Sequence, residues 1–234
     1  MSKVTYDADA FQLTIDDDQV AEALGELKGK TNAVLKVAIN RTARQARKDV
    51  IAAAIERYDL TAKGKEKLRR LKMRRKATNA VLMAELRQDD KGLPLDYAYF
   101  RHSPRTVFKG WHVRHAAPEY VRGRVLKSQP MHDLAAETNR HFGEMSKGFL
   151  VEFKSGHIGM VQRVIGSRSA SSTTARGYRR WEPNERLETM ARPGGSGMGR
   201  AAWNLSAEKA AAENLMLETE RRLEEVVARA RRKV

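Results

Sequence analysis

The chain contains no cysteine. That removes disulfide frameworks, cysteine-ligated zinc and thiol nucleophiles together, and it fits a protein made in a reducing cytoplasm. The chain also lacks any apolar run near the ~20 residues that cross a bilayer, and its opening segment MSKVTYDADA has no signal-peptide core. A soluble protein without a membrane partner is the expectation. Catalytic motifs are missing too: there is no phosphate-binding GxxxxGK[ST] loop, no GxSxG elbow and no HExxH. Gly194, Gly195, Gly197 and Gly199 are spaced like a flexible connection and lack the lysine of such a loop. The six histidines are scattered, and the nearest pair, His112 and His115, would point to opposite faces of a strand with no third ligand at a familiar spacing. No nucleophile, base and stabiliser stand together, so a non-enzymatic role with no catalytic, metal or cofactor residue is expected. Zinc fingers, RNP-like aromatic strands and helix-turn-helix units are absent as well. Any nucleic-acid contact should therefore be to phosphate, independent of base sequence.

What the chain does have is positive charge. Its 45 lysines and arginines against 29 acids give a formal +16 over 234 residues, which makes a polyanion the first partner to consider. Nucleic acid comes before an anionic membrane or an acidic protein.

The longest segment with a single period runs from about Asp17 to Tyr58. Val20, Leu24, Leu27, Thr31, Leu35, Ala38, Thr42, Ala46, Val50 and Ala53 recur at steps of three and four, which stacks them on one stripe of a helix. Its other side carries Lys36, Asn40, Arg41, Arg44, Arg47 and Lys48, so a core face opposes a basic face. Asp16, Asp17 and Asp18 suit the helix start, where carboxylates meet free N–H groups and the positive end of the dipole. A forty-residue helix would be about 60 Å long, so it should kink or reach a neighbouring subunit. Gly25 and Gly29 are the expected kink, each weakening a helix by about 1 kcal/mol relative to alanine.

Around this helix the pattern is of short strands. Phe11, Leu13 and Ile15 alternate with polar residues ahead of it. Beyond it, Thr61 is placed to cap a short helix over 62–71, anchored by Leu68 and Leu71, within a strongly basic segment that extends to Lys76. The apolar run at 80–87 and the alternating Leu93, Leu95, Tyr97 and Tyr99 read as a hairpin with a Gly-containing loop. Strands are expected at 113–115 and 120–126, a short helix from Met131 to His141, and a hairpin from Phe149 to Ile165 with one face in the core. From Gly166 to Arg180 the composition turns to Ser, Thr, Gly, Ala and Arg, which predicts an exposed basic loop. After the glycine-rich stretch at 193–199, a final helix capped by Ser206 runs to the C-terminus. No repeat appears, and no linker compels two domains. The fold class is α+β: one domain, with a long N-terminal helix and a C-terminal helix packed on a curved, mostly antiparallel sheet. The residues placed to face DNA or a partner are Arg41, Arg44, Arg47 and Lys48 on the long helix, and Arg168, Arg176, Arg179 and Arg180 in the loop.

Four stretches in order, LKVAINRTARQARKDV at 35–50, RRKATNAVLMAEL at 74–86, LPLDYAYFRHSPR at 93–105 and GFLVEFKSGHIGMVQRV at 148–164, resemble the minor tail protein Z family of tailed bacteriophages. NERLETMARPGGSGM at 184–198, followed by a terminal helix, is similar to that family's ending. The departures are the insertion around Ser167 to Arg180 and the basic segment at 61–76. The resemblance implies a tail-completion role: a virion structural subunit at the head-proximal end of the tail, in a homo-oligomeric, hexameric ring that supports head–tail joining. It implies tail terminator, tail tube or head–tail connector proteins as neighbours, non-specific contact with packaged or exiting DNA, and assembly in the host bacterial cytoplasm. It brings no active site. Two other readings stay open: a sequence-independent DNA-binding protein acting outside the virion, and a phage-encoded nuclease.

Overall fold

A computed structural model describes residues 3–7, 10–14, 29–90, 93, 95–105, 107–109, 120–133, 147–153, 155–164 and 187–232. One domain is the expectation from sequence; the chain gathers into two compact units, each assembled from separate stretches. Unit 1 holds Met1–Glu56, Glu66–Leu93 and Pro193–Val234, and unit 2 holds Arg57–Lys65 and Pro94–Arg192. The fold class is α+β, with a long helix in the N-terminal part, another at the C-terminal end and short strands between.

In unit 1, strands β1 (Lys3–Asp7) and β2 (Ala10–Thr14) form a hairpin. Strands β3 (Leu71–Arg75) and β4 (Ala84–Gln88) complete an antiparallel sheet in the order β1-β2-β4-β3. Helix α1 (Thr31–Arg57) buries Thr31, Val34, Leu35, Ala38, Ile39, Thr42, Ala43, Ala46, Val50 and Ala54. This is the expected stripe, except that Ala54 rather than Ala53 is the buried alanine of its last turns. Gly29 lies in a short turn of 3-10 helix that leads into α1. Asp16, Asp17, Asp18, Val20, Leu24, Gly25 and Leu27 lie outside the described residues. Helix α2 (Ala62–Leu68) starts where expected after Thr61 but stops short of Leu71, which begins β3. The C-terminal part of unit 1 is a continuous helical run: α3 (Gly195–Ala202), one wide π turn (Trp203–Ala207) and α4 (Glu208–Arg231).

That run corrects the sequence reading twice. The glycine-rich stretch is helical, and Ser206 sits inside the π turn rather than at a cap. Two of its glycines, Gly194 and Gly195, are there for close approach, whereas Gly197 and Gly199 have ordinary room for a Cβ. A Cβ on Gly194 would meet the Leu93 carbonyl oxygen at 2.1 Å, and one on Gly195 would meet Gln88 Nε2 at 2.7 Å and Asp90 Oδ2 at 2.9 Å. With glycine in place, the helix start fits against the end of β4, and Asp90 Oδ2 accepts the amide of Ser196 at 2.9 Å. The cap is thus supplied by a residue distant in sequence, where a search for local capping residues cannot find it.

In unit 2, strands β10 (Phe149–Glu152) and β11 (Ile158–Arg163) form the expected antiparallel hairpin, turning at Gly156 with φ +75°. Strand β12 (Leu187–Thr189) pairs antiparallel with β11, and β7 (Val107–Lys109) pairs parallel with β10. Phe149, Val151 and Val161 centre one core cluster with Phe153 and Leu187 against it. The hairpin is buried on both faces, not one, because Leu150 at 2% and Met160 at 0% exposure are covered too. Smaller ladders join β5 (Leu95–Asp96) to β13 (Ala191–Arg192), and β6 (Arg101–Ser103) to β8 (Arg122–Arg124) to β9 (His132–Asp133).

The hairpin expected between 80–87 and 93–99 does not form. Both edges of β4 are occupied, by β2 and β3, while Leu95–Asp96 pairs with β13. Tyr97–Tyr99 is a 3-10 turn capped by Asp96. Its alternation of large apolar residues mimics a strand, but its Ala98 amide is satisfied by the Asp96 side chain at 2.9 Å instead of a ladder. The helix expected from Met131 begins as strand β9; its remainder, and the strand at 113–115, lie outside the described residues, whereas 120–126 does contain β8.

Candidate functional site

The expected basic face of α1 divides into cations with internal partners and cations that point outward. Asn40 is held by reciprocal hydrogen bonds to residue 77: its Oδ1 accepts the Ala77 amide and its Nδ2 donates to the Ala77 carbonyl, both at 2.9 Å. Two helical turns on, Arg47 donates to the carbonyls of Leu71 and Arg69. Strand β3 is the edge of its sheet, so this guanidinium satisfies carbonyls that would otherwise invite another strand. Arg41 Nη1 meets Glu218 Oε2 of α4 at 3.0 Å, a pair exposed enough to contribute at most about 1 kcal/mol. Arg41 and Arg47 therefore brace unit 1. Arg44 and Lys48 are exposed and have no ion-pair partner among the described residues. Arg168, Arg176, Arg179 and Arg180 lie outside the described residues.

The outer face of β3 and β4 adds cations that the sequence left in an undifferentiated basic segment. Lys72 and Arg87 stand directly opposite each other across the ladder. Between Met73 and Arg75 the register shifts, which makes Arg74 the extra residue of a bulge and leaves Arg74, Arg75 and Lys76 all exposed. Lys72 reaches Asp89 at 3.2 Å and Arg75 reaches Glu85 at 3.5 Å. Arg69, Arg70, Arg74, Lys76 and Arg87 have no ion-pair partner among the described residues. Like charges side by side on a sheet repel, so this face is costly without a counter-charge.

Unit 2 carries a second arrangement that sequence reading did not find. Asp96 is 9% exposed. Its Oδ1 accepts the amides of Ala98 at 2.9 Å and Met160 at 2.8 Å, and its Oδ2 lies 3.3 Å from His157 Nε2. Burial pushes the Asp96 carboxyl above the usual carboxylate range, with those two amides and His157 pulling the other way. The carboxylate fits because residue 159 is glycine: a Cβ there would lie 2.6 Å from Asp96 Oδ2 and 2.7 Å from the Phe153 ring. The His157 ring stacks on Phe153 at 5.9 Å between centroids and leans toward Tyr99 at 6.2 Å. Beside it opens a cleft of about 580 Å³ whose lining includes Lys63, Tyr99, Arg101, His102, Arg105 and His157.

His102 Nδ1 is 2.7 Å from the Phe100 carbonyl. Burial holds this ring below the usual histidine range despite that hydrogen bond, and the Arg105 charge acts in the same direction as burial. A neutral ring donating from Nδ1 leaves Nε2 as an acceptor. Among the described residues, no group of three or more histidine, aspartate and glutamate side chains is placed to hold a metal ion. No helix among them is long and apolar enough to cross a membrane.

No protein-family model, curated protein or solved structure matches the chain. The functional reading therefore rests on these residues and on the order of the sequence blocks. The sequence signals for the cleft were present but separated: the Ser155-Gly156-His157 turn, the aspartate ahead of Tyr97 and Tyr99, and Arg101 and Arg105 beyond it. Only the pairing of β5 with β13 and the approach of Asp96 to β11 bring them together.

Proposed function

We propose that this chain is a non-enzymatic phage virion structural protein that completes the head-proximal end of the tail and supports head–tail joining, as a homo-oligomeric ring around the DNA passage. The observation that carries the polyanion part is the outward-facing cation set of unit 1: Arg44 and Lys48 on α1, with Arg69 and Arg70 in the turn before β3, Arg74 on β3, Lys76 just past it and Arg87 on β4, all exposed. Side chains of this type, arrayed without a base-reading element, suit phosphate contact that is independent of sequence. The virion part rests on the resemblance to the minor tail protein Z family. Its blocks at 35–50 and 148–164 fall on α1 and the β10–β11 hairpin, and its block at 74–86 spans the connection from the end of β3 to the start of β4. Tail terminator, tail tube or connector proteins are the neighbours this role requires.

Native mass spectrometry of the purified protein, together with duplex-DNA binding over a salt series, tests the reading. A closed oligomer is expected, with DNA affinity that falls steeply with salt, by roughly 0.9 log unit per phosphate neutralised for each log unit of salt. A strictly monomeric protein that binds duplex DNA in the same salt-dependent way would replace this role with DNA binding outside the virion. Sustained metal-dependent cleavage of DNA, lost on changing one acidic residue, would replace it with a nuclease.

A further inference from the structure

Three cations, Lys63, Arg101 and Arg105, line the cleft of unit 2, and none has an ion-pair partner among the described residues. The one acid in the lining, Asp59, is already engaged: Arg124 Nε donates to its Oδ2 at 2.6 Å. Asp96 lies behind the wall, its carboxylate committed to two amides and His157. The cleft therefore gathers three cations, and its lining carboxylate is already paired with Arg124. Apolar and aromatic side chains, Leu60, Tyr99, Leu150 and Ile158, make up much of the rest of its lining. At about 580 Å³ it is several times larger than a bare phosphate needs and within the range of small-molecule sites.

We propose that this cleft binds a phosphomonoester carried on an aromatic or apolar body, the class of a nucleoside monophosphate. Arginine favours this anion because its planar fork can offer two parallel N–H donors to phosphate oxygens. His102, held below the usual histidine range by burial and by the Arg105 charge, adds a ring that can gain a proton when the negative charge of a phosphate offsets both. His157 is held in place by Asp96 on one side and by its stack on Phe153. With Tyr99 it contributes aromatic surface at the same cleft. The phosphate could belong to a free nucleotide or to the 5′ end of a nucleic acid, which share this chemistry. The inference goes beyond the virion role and does not depend on it.

The test is calorimetric titration of the full chain with adenosine 5′-monophosphate, adenosine and inorganic phosphate, alongside NMR of the histidine rings. Saturable binding of the monophosphate is expected, with inorganic phosphate at least tenfold weaker and adenosine weaker still. The His102 resonances should shift toward the protonated form at saturation. Arg101→Gln and Arg105→Gln should each weaken the monophosphate by about tenfold, in line with loss of a charge-assisted hydrogen bond. Lys209→Gln, an exposed position on α4 outside both cation sets, should leave it unchanged. A 5′-phosphorylated oligonucleotide that displaces the monophosphate while its 5′-hydroxyl twin does not would identify a nucleic-acid end as a source; failure of both to displace it would identify the free nucleotide. Equal affinity for adenosine and its monophosphate, or equal losses in Arg101→Gln and Lys209→Gln, or no saturable binding, would overturn the proposal. Circular dichroism of each variant, whose altered side chain is exposed, separates loss of binding from loss of folding.

Discussion

Replacing Asp96 by alanine should destabilise the protein, and the size of the loss can be worked from its partners. The Met160 amide donates to Asp96 at 2.8 Å, and Met160 is fully buried at 0% exposure. Stranding such a donor costs about 1–3 kcal/mol. The Ala98 amide, also bound to Asp96, belongs to a half-buried residue and can recruit water, so it adds at most about 1 kcal/mol. Against this, the buried carboxylate is itself disfavoured at neutral pH, and its removal returns part of the loss. A net loss of about 1–3 kcal/mol is expected, which in urea lowers the midpoint by roughly 1 M. Asp96→Asn keeps an acceptor for Met160 and a polar group facing the His157 ring, so it should retain most of the stability. Because the folded pKa of Asp96 is raised, its contribution is fully present below the ordinary carboxylate pKa and is lost as pH rises through the raised value. The stability of wild type relative to Asp96→Asn should therefore fall as pH rises through that window. Urea denaturation at several pH values, with hydrogen exchange at the Met160 amide, measures both effects. Wild-type midpoint and wild-type protection of Met160 in Asp96→Ala, or an Asn variant as weak as the Ala variant, would refute the reasoning.

Gly159→Ala should lower stability and shift the His157 resonances, since its Cβ would sit 2.6 Å from Asp96 Oδ2; NMR and thermal melting read both. Leu35→Asp and Val50→Asp should each prevent stable folding, because both sites are fully buried at 0% exposure and a buried unpaired carboxylate costs several kcal/mol. On the same helix, Arg44→Ala should stay within about 0.5 kcal/mol of wild type, whereas Arg47→Ala should cost about 0.5–1.5 kcal/mol by freeing the carbonyls of Leu71 and Arg69; urea midpoints distinguish the two. His102, whose folded pKa is lowered, supplies stability that is present above the ordinary histidine pKa and lost as pH falls through its depressed value. His102→Gln should flatten that acid-side loss in a pH series of melts.

The helix α1 and the β10–β11 hairpin were legible because each repeats one period long enough to declare its buried side: Leu35, Ala38, Thr42 and Ala46 for the helix, Phe149, Val151 and Val161 for the hairpin. Elements whose shape depends on distant groups were not. Gly194 and Gly195 look like a flexible connection until Leu93, Gln88 and Asp90 are seen to leave no room for a Cβ. The segment with Leu95, Tyr97 and Tyr99 alternates like a strand, yet its turn is set by the Asp96 side chain. Strand β3 was hidden in a basic segment because its exposed residues Lys72, Arg74 and Arg75 outnumber its buried anchor Leu71. Arg41 and Arg47 read as outward cations because charge alone does not reveal a carbonyl or carboxylate from another element. The cleft was illegible for the same reason: its cations come from residues 63, 101 and 105, and its histidines from 102 and 157.

The proposed tail-completion role is most directly tested by immunogold electron microscopy of any tailed particles released by cells that carry the gene for this chain, using antibodies raised against the purified protein. The tail-completion role predicts gold confined to the junction of head and tail on intact particles, and tails that fail to join heads when the gene is interrupted. Particles without the protein, or gold distributed away from that junction with joining unaffected, would contradict it.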